Sequence, residues 1–470
     1  MTRRFLIQTF GCQMNAHDSR RIAEVLGEQG YSETDEAELA DLIVLNTCSV
    51  REKAEHKLMS ALGRYRPLKE RRSDVLIAVA GCMAQEHGAE LLARQDLIDV
   101  LIGPDNVPEL PALIERARAG ERVALAEHDL LQPQFLTAEP RPDGREVFAY
   151  VTTMKGCDER CSFCIVPYTR GSERYRAADE IVGEIRSLVA GGVREITLLG
   201  QTVNSWHEPN DPQPEPTSQF PQLLRRIARD VPDLLRLRYT SPHPRHLTPE
   251  LIAAHAELAV LPAHLHLPVQ SGSDVVLKRM IRRYTRASYL ERVRALQAAR
   301  PGLTLSTDLI VGFPGETEAD FEQTLSLVQE ARFSTAFGFK YSPRPQTPAL
   351  KLGDDVPEEV KSARLDRLFE VVDAQQRIQL DALVGTRTGV LIEGASKSQH
   401  GSPRFTGRSD RHEIVHVDVE PGSDPTGVLL EVEIVEANKR SLVGRPLPGQ
   451  SLARPRPARG GALRLPVMAS

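Results

Sequence analysis

Three short apolar runs open the chain, and each ends at a cysteine. Phe5-Leu6-Ile7 leads through Gln8, Thr9 and Phe10 to Gly11 and Cys12. Leu42-Ile43-Val44-Leu45 leads through Asn46 and Thr47 to Cys48, and the run from Val75 to Ala80 leads through Gly81 to Cys82. Continuous apolar runs bounded by turn residues are the pattern of strands buried on both faces. Helical patterns over 19–29 and 50–68 lie between them. The cysteines are 36 and 34 positions apart, close to one βαβ unit each. A parallel sheet would therefore place all three at its carboxyl edge, where open α/β sheets hold their ligands. The pattern predicts an N-terminal α/β open-sheet domain over 1–120.

A linker follows over 121–144, whose second half is rich in proline and polar residues and has no apolar period. From 145 to 378 the pattern repeats strand then helix six times. Strands are predicted at 148–154, 195–199, 235–239, 264–269, 303–311 and 336–341, with helices at 178–189, 221–229, 249–258, 288–299 and 318–331 between or after them. Such alternation implies a parallel sheet with helices outside it. Six repeats fall short of the eight of a closed barrel, so a partial (β/α)6 barrel is expected. The segment 207–221 carries five prolines and looks like an insertion, and Thr317 with Asp320 reads as a capping box. After a helix over 357–378, residues 414–420 and 428–435 alternate with period two, which predicts a small all-β barrel over 379–446. The segment 439–470 has seven Lys or Arg and no acid, and 447–470 is expected to be a disordered basic tail.

The length of 470 residues agrees with about three domains. With 41% hydrophobic and 26% charged residues the chain is not disordered, and a net charge of −5 excludes bulk attraction to phosphate, though not a local basic patch. No apolar run reaches the roughly 18 residues of a membrane span. Phe5-Leu6-Ile7 is too short for a signal-peptide core, so a cytoplasmic protein without membrane contact is expected. Six cysteines are too few for a disulfide scaffold, and in a reducing compartment they read as ligands or nucleophiles.

The strongest chemical signal is Cys157-Asp158-Glu159-Arg160-Cys161-Ser162-Phe163-Cys164, directly after the first barrel strand. A structural zinc wants four ligands, and the nearest downstream histidine, His207, lies beyond another βα unit. Three thiolates on a 4Fe–4S cluster leave one iron open for a substrate or cofactor. Cys12, Cys48 and Cys82 form a second triad, although buried cysteine is also an ordinary core residue. Two sites of three would use all six cysteines.

The x3-x2 cysteine spacing, with Phe163 before the last cysteine, resembles the radical S-adenosylmethionine superfamily. The whole chain from about 4 to 446 resembles its methylthiotransferase family, and most of all the tRNA-modifying MiaB-type branch. The matching segments are 9–15 with Cys12, 46–54 with Cys48, Gly81-Cys82, 164–171 from Cys164 to Gly171, 267–273 around Gln270 and Ser271, and 310–317 around Gly312 and Gly315. The resemblance implies two 4Fe–4S clusters and S-adenosylmethionine as cofactors. One cluster would sit on Cys157, Cys161 and Cys164 and cleave S-adenosylmethionine to a 5′-deoxyadenosyl radical. The other, on Cys12, Cys48 and Cys82, would hold the sulfur to be inserted at C2 of N6-isopentenyladenosine, 3′ of the tRNA anticodon.

Further roles follow from the same resemblance. Phe163 would join the S-adenosylmethionine site, and Gly200 and Gln201 would contact the methionyl amino group, with Gln201 replacing the acidic residue usual there. Gln270, Ser271 and Asp308 would meet ribose or substrate, and Gly312 and Gly315 would admit adenine; loop or turn bonds are the competing reading for each. Arg170 is a candidate for steering. The C-terminal barrel resembles a TRAM domain, in which Lys397, Arg404, Arg408, Arg411, Lys439 and Arg440 with Phe405 would face RNA, Arg408 and Arg411 foremost. Expected partners are a tRNA anticodon stem-loop and an electron donor of flavodoxin or ferredoxin type, with the chain a monomer. The alternatives are a sister methylthiotransferase acting on threonylcarbamoyladenosine or a ribosomal-protein aspartate, and a non-catalytic iron–sulfur or zinc RNA-binding protein.

Overall fold

The computed structural model describes all residues except 1, 50–51, 129–133, 141–145, 210, 212–216, 397–402 and 455–470, and the side chains of 52 and 53. Parts of the expected linker and of the proline-rich insertion, Lys397 and the last two thirds of the basic tail therefore lie outside the described residues.

The first domain is a six-stranded parallel sheet. Its elements are β1 (Arg4–Phe10), α1 (Gln13–Glu28), β2 (Ser32–Glu33), β3 (Leu42–Thr47), α2 (Glu52–Arg71), β4 (Leu76–Gly81), α3 (Cys82–Arg94), β5 (Val100–Ile102), α4 (Leu110–Arg118) and β6 (Val123–Leu125). The strand order is β2-β1-β3-β4-β5-β6. Every residue of β3 and β4 is buried, as strands covered by helices on both faces must be. Phe10 pairs with Thr47 and Thr47 with Gly81, so these three strands end level.

The second domain runs through β7 (Phe148–Thr152), β8 (Met154–Lys155), α5 (Val166–Thr169), β9 (Arg174–Tyr175), α6 (Ala178–Ala190), β10 (Glu195–Leu199), α7 (Phe220–Asp230), β11 (Arg236–Tyr239), α8 (Pro249–Glu257), β12 (His264–His266), α9 (Asp274–Arg279), α10 (Arg286–Ala299), β13 (Thr304–Val311), α11 (Glu318–Ala331) and β14 (Thr335–Lys340). The six barrel strands form two parallel three-stranded sheets, β11-β10-β7 and β12-β13-β14. The break falls between β11 and β12, which is only three residues long. One apolar core, including Leu237, Leu265, Leu305 and Tyr289, continues across the break. Thr317 and Asp320 form the expected capping box of α11.

The long α12 (Glu358–Asp381) leads into β15 (Arg387–Ala395), β16 (Arg404–Ser409), β17 (Ile414–Asp418), β18 (Leu429–Ala437) and β19 (Leu442–Pro446). These close into a barrel in the order β15-β16-β17-β19-β18. Leu430, Val432 and Ile434 fill it and Glu431 stays outside, as the period of two requires.

This barrel docks on the amino-terminal ends of the partial barrel's strands. Arg236 Nη1 donates to the Arg408 carbonyl at 2.7 Å and Nη2 to the Gly389 carbonyl at 3.1 Å. The Ala263 N–H donates to Asp410, Thr304 Oγ1 donates to the Arg411 carbonyl, and His264 stacks on His412 with ring centroids 4.8 Å apart. No helix among the described residues is long and apolar enough to cross a membrane.

Arg236 is 4% exposed, so its two bonds form away from water. Arg236→Ala should cost about 3 kcal/mol of docking stability, read as earlier proteolytic release of the C-terminal barrel. Unchanged protease resistance would mean that the docking rests on apolar contact alone.

Candidate active site

The level ends of β1, β3 and β4 bring the first triad together. Cys12 caps the N-terminus of α1, Cys48 follows β3 with its N–H on the Phe10 carbonyl at 2.9 Å, and Cys82 is the first residue of α3. Asn15 accepts from the Cys12 N–H at 3.3 Å and donates to Asn46, which in turn donates to the Asn15 carbonyl and to Ser19. This buried polar web fixes the two strand ends to each other. The sulfurs differ in chemistry. A hydrogen bond from Cys48 lowers the Cys12 thiol to about 6, whereas burial raises that of Cys82.

The second triad lies in the loop after β8, and burial pushes Cys157 up to about 11 and Cys164 up to about 12. Thr202 Oγ1 sits 2.9 Å from Cys157 Sγ, and the buried Arg282 donates Nη1 to Cys161 Sγ at 3.3 Å. Burial opposes the Arg282 charge, but Tyr284 and Cys161 outweigh it and hold the guanidinium firmly protonated. Three thiols with hydrogen-bonding groups at their sulfurs, and no fourth protein ligand against them among the described residues, suit an iron–sulfur cluster with one open iron.

Buried ion pairs join the two triads. Arg170, six residues after Cys164, donates Nη2 to Asp18 at 2.7 Å and Nε to Cys82 Sγ at 3.2 Å. Asp105 of the first domain accepts from Lys155 at 3.0 Å and from Arg174 at 2.7 Å. Burial alone would raise the Asp105 carboxyl; the hydrogen bond from His128 and the charges of Lys155 and Arg174 outweigh it and hold it below its usual range.

The other predicted residues separate into two groups. Gln201 sits against the cysteine loop, its Oε1 accepting from the Gly156 N–H at 2.5 Å and its Nε2 buried without a partner. Phe163 packs edge-on to Phe313 at 6.4 Å, against a small core that also holds Val276, Met280 and Tyr341. Asp308 lies on the inner face of β13 with His266 Nε2 3.4 Å away, and Gln270 bends the adjoining loop at φ 73°. Ser271, in contrast, is fully buried, accepts from the Ser273 N–H and meets Thr324 of α11, so it holds its own turn. The glycines are closely approached by the chain itself. A Cβ on Gly312 would meet Lys361 at 2.3 Å, one on Gly315 would meet Arg279 at 2.0 Å, and both have positive φ. A Cβ on Gly200 would meet Met154 at 2.6 Å.

Arg408 and Arg411 also depart from expectation. They lie on the edge of the C-terminal barrel that docks inward, and they pair with Glu393 at 3.2 Å and Glu413 at 3.1 Å. Their neighbour His412 closes the floor of the partial barrel, against His264. Above that floor His266, Ser306, Asp308, Phe337 and Phe339 share one wall. Gly338 faces Leu365 of α12, so alternation turns Phe337 and Phe339 to the barrel interior, where they are 50% and 37% exposed.

Sequence reading missed Arg282, Thr202, Asp18 and the cluster of Glu159 with His243 and His246. The partners are far apart in the chain, 121 positions for Arg282 and Cys161. Glu159 alone carried a hint, because it lies between Cys157 and Cys161; His246 Nε2 is 2.7 Å from it.

In the cluster-free chain the Cys12 sulfur is more ready to react than those of Cys82, Cys157 and Cys164, because the thiolate is the nucleophile. Iodoacetamide at neutral pH should label Cys12 before Cys157 and Cys164, by peptide mass mapping. Labelling Cys157 or Cys164 first would contradict this geometry.

Comparison with known proteins matches each of the two domains that carry a triad. Residues 4–103 match a family described as an uncharacterized protein family, UPF0004, and residues 151–328 match the radical SAM superfamily. The chain is 55% identical over 494 aligned positions to the tRNA-2-methylthio-N(6)-dimethylallyladenosine synthase of Sorangium cellulosum, covering 99% of each chain. It is 45% identical to the proteins of the same name from Jannaschia sp., covering 95% of this chain and 94% of that one, and from Geobacter sulfurreducens, covering 93% and 96%. Among solved structures, the radical S-adenosylmethionine methyltransferase TsrM of Kitasatospora setae shares the fold at a TM-score of 0.52 and 16% identity, covering 85% of this chain and 82% of that one. With a relative of 55% identity along its whole length, and with a cysteine triad in each matched domain, this chain belongs to the tRNA-2-methylthio-N(6)-dimethylallyladenosine synthase family of radical SAM enzymes.

Proposed function

We propose that the protein adds a methylthio group to C2 of N6-isopentenyladenosine beside the anticodon of tRNA, using two 4Fe–4S clusters and S-adenosylmethionine. The observation that carries this reading is the pairing of two cysteine triads, one from each domain, on the two sides of α5. The relatives do not favour the sister substrates or a non-catalytic role.

Cys157, Cys161 and Cys164 would hold the cluster that, when bound, supplies the electron for cleaving S-adenosylmethionine to methionine and a 5′-deoxyadenosyl radical. Around it the protein's own groups orient and exclude water. Thr202 shares a hydrogen bond with the Cys157 sulfur, Arg282 donates to that of Cys161, and Gln201 Nε2, without a partner among the described residues, offers a donor near the cysteine loop. Phe163 and Phe313 shield the loop. Cys12, Cys48 and Cys82 would hold the second cluster and the sulfur for insertion. Asp308 and His266 supply hydrogen-bonding groups to the chamber and Phe337 and Phe339 an apolar wall. Hydrogen abstraction by a radical requires no protein base, and the chamber supplies position and dryness instead.

C2 lies on the Watson–Crick side of adenine, so the target must be an unpaired, splayed nucleotide, as in an anticodon loop. Lys439 and Arg440 both pair with Asp373 of α12, at 3.4 and 3.2 Å, yet stay largely exposed on the C-terminal barrel, where they would offer positive charge to the RNA backbone. The same reading puts the protein in the cytoplasm as a monomer, reduced by a flavodoxin or ferredoxin.

Two expectations test this reading. Anaerobic reconstitution should load about eight irons per chain. Replacing Cys157, Cys161 and Cys164 by Ala should leave about half the iron and no cleavage of S-adenosylmethionine. Replacing Cys12, Cys48 and Cys82 should keep cleavage and abolish thiolation; full iron and full thiolation in that variant would refute the second cluster. For the substrate, burial of half a five-carbon prenyl group at about 0.8 kcal/mol per carbon favours the modified base by about 2 kcal/mol, or about thirtyfold. Paired assays on prenylated and bare stem-loops should show that preference, and Phe337→Ala should reduce it. Equal rates on the bare adenosine would refute the assignment.

A further inference from the structure

Arg170 holds a place that the cluster chemistry alone does not explain. It belongs to the second domain, yet its Nε donates to Cys82, a sulfur of the first domain, at 3.2 Å. Its side chain is 3% exposed. Burial works against its charge, but Asp18 and Cys82 outweigh burial and keep the guanidinium protonated. Nη2 is taken by Asp18 at 2.7 Å, and Nη1 is buried with no partner among the described residues. A buried cation with a spare N–H is costly unless an anion completes its surroundings. Asp18 cannot do so alone, because its carboxylate engages one edge of the fork.

Three thiolates outweigh the positive charge of a cubane core, so a filled triad would be that anion. The triad of Cys157, Cys161 and Cys164 shows the same design: Arg282, also buried, donates to Cys161. Each site thus pairs one buried arginine with one cysteine sulfur. Arg170 differs in crossing a domain boundary, and it lies only six residues from Cys164. The short α5 between them links a sulfur of one site to the cation of the other.

We propose that Arg170 is the positioning residue of the second cluster: it donates to the Cys82 thiolate, balances the charge of the filled site, and thereby ties that cluster to the loop that carries the first. This rests on the two-cluster reading above. Hydrogen bonds and positive charge at cluster sulfurs stabilise the reduced state and so raise the reduction potential. Asp18 opposes that effect by drawing on the same guanidinium.

The test uses the full chain in which Cys157, Cys161 and Cys164 are Ala, so that only the second cluster contributes. Reconstituted protein is followed by iron analysis and by redox titration with electron paramagnetic resonance. Arg170→Gln should shift the midpoint potential to more negative values and change the line shape, and Arg170→Lys should restore part of the shift. Asp18→Asn keeps the arginine and should shift the potential the opposite way, which preserves the test if Arg170→Gln fails to fold. Full iron with an unchanged potential and line shape in Arg170→Gln, or a shift of the same sign in Asp18→Asn, overturns the proposal. Absence of iron in the background chain with Arg170 intact would instead defeat the two-cluster reading itself.

Discussion

The arrangement depends on a few buried ion pairs between the first two domains. Asp105 engages Lys155 and Arg174, and Asp18 engages Arg170. Pairs of this kind add little net stability over apolar contact, but breaking one leaves an uncompensated charge inside the protein. They therefore act as registration pins. Lys155 and Arg174 flank the cysteine loop on β8 and β9, and these two strands pair with each other. Fixing them to Asp105 fixes the loop against the edge of the first sheet. Without that register the triads would be two unrelated sites on two domains.

The cysteines were the most legible part of the chain. Three buried strands ending in cysteine at nearly equal spacing could only place them side by side if the strands were parallel, and the ladder through Phe10, Thr47 and Gly81 is parallel and level. The alternating repeats likewise announced the partial barrel, though not the break between β11 and β12, which nothing in the apolar pattern marks. Single polar residues were harder to read. Ser271 has the residue type and strand-end location of a ligand contact, but its hydroxyl is used by Ser273 and Thr324, and Thr324 lies 53 positions away. Gly312 and Gly315 were correctly suspected of close approach; what approaches is Lys361 and Arg279. Arg408 and Arg411 looked like an RNA surface because sequence does not show which edge of a small barrel is covered. Arg236, 172 positions before Arg408, decides that.

The interior of the partial barrel brings these parts together. Its floor is closed by His412 of the C-terminal barrel, one wall carries His266, Asp308 and two exposed phenylalanines, and the cysteine loop lies at the carboxyl ends of the strands above. Such a chamber suits a reactive radical, which must meet its target and little else. The C-terminal barrel is then both a part of the chamber and a candidate RNA contact.

The central claim is that the two triads act together on one nucleoside. Its most direct measurement is mass spectrometry of nucleosides from the tRNA of a host that prenylates this adenosine but lacks its own methylthiotransferase, with and without this chain. Expression of the chain should convert isopentenyladenosine to its 2-methylthio derivative, and loss of either triad should prevent it. Isopentenyladenosine that persists unchanged beside the folded, iron-loaded and adequately reduced protein would contradict the account.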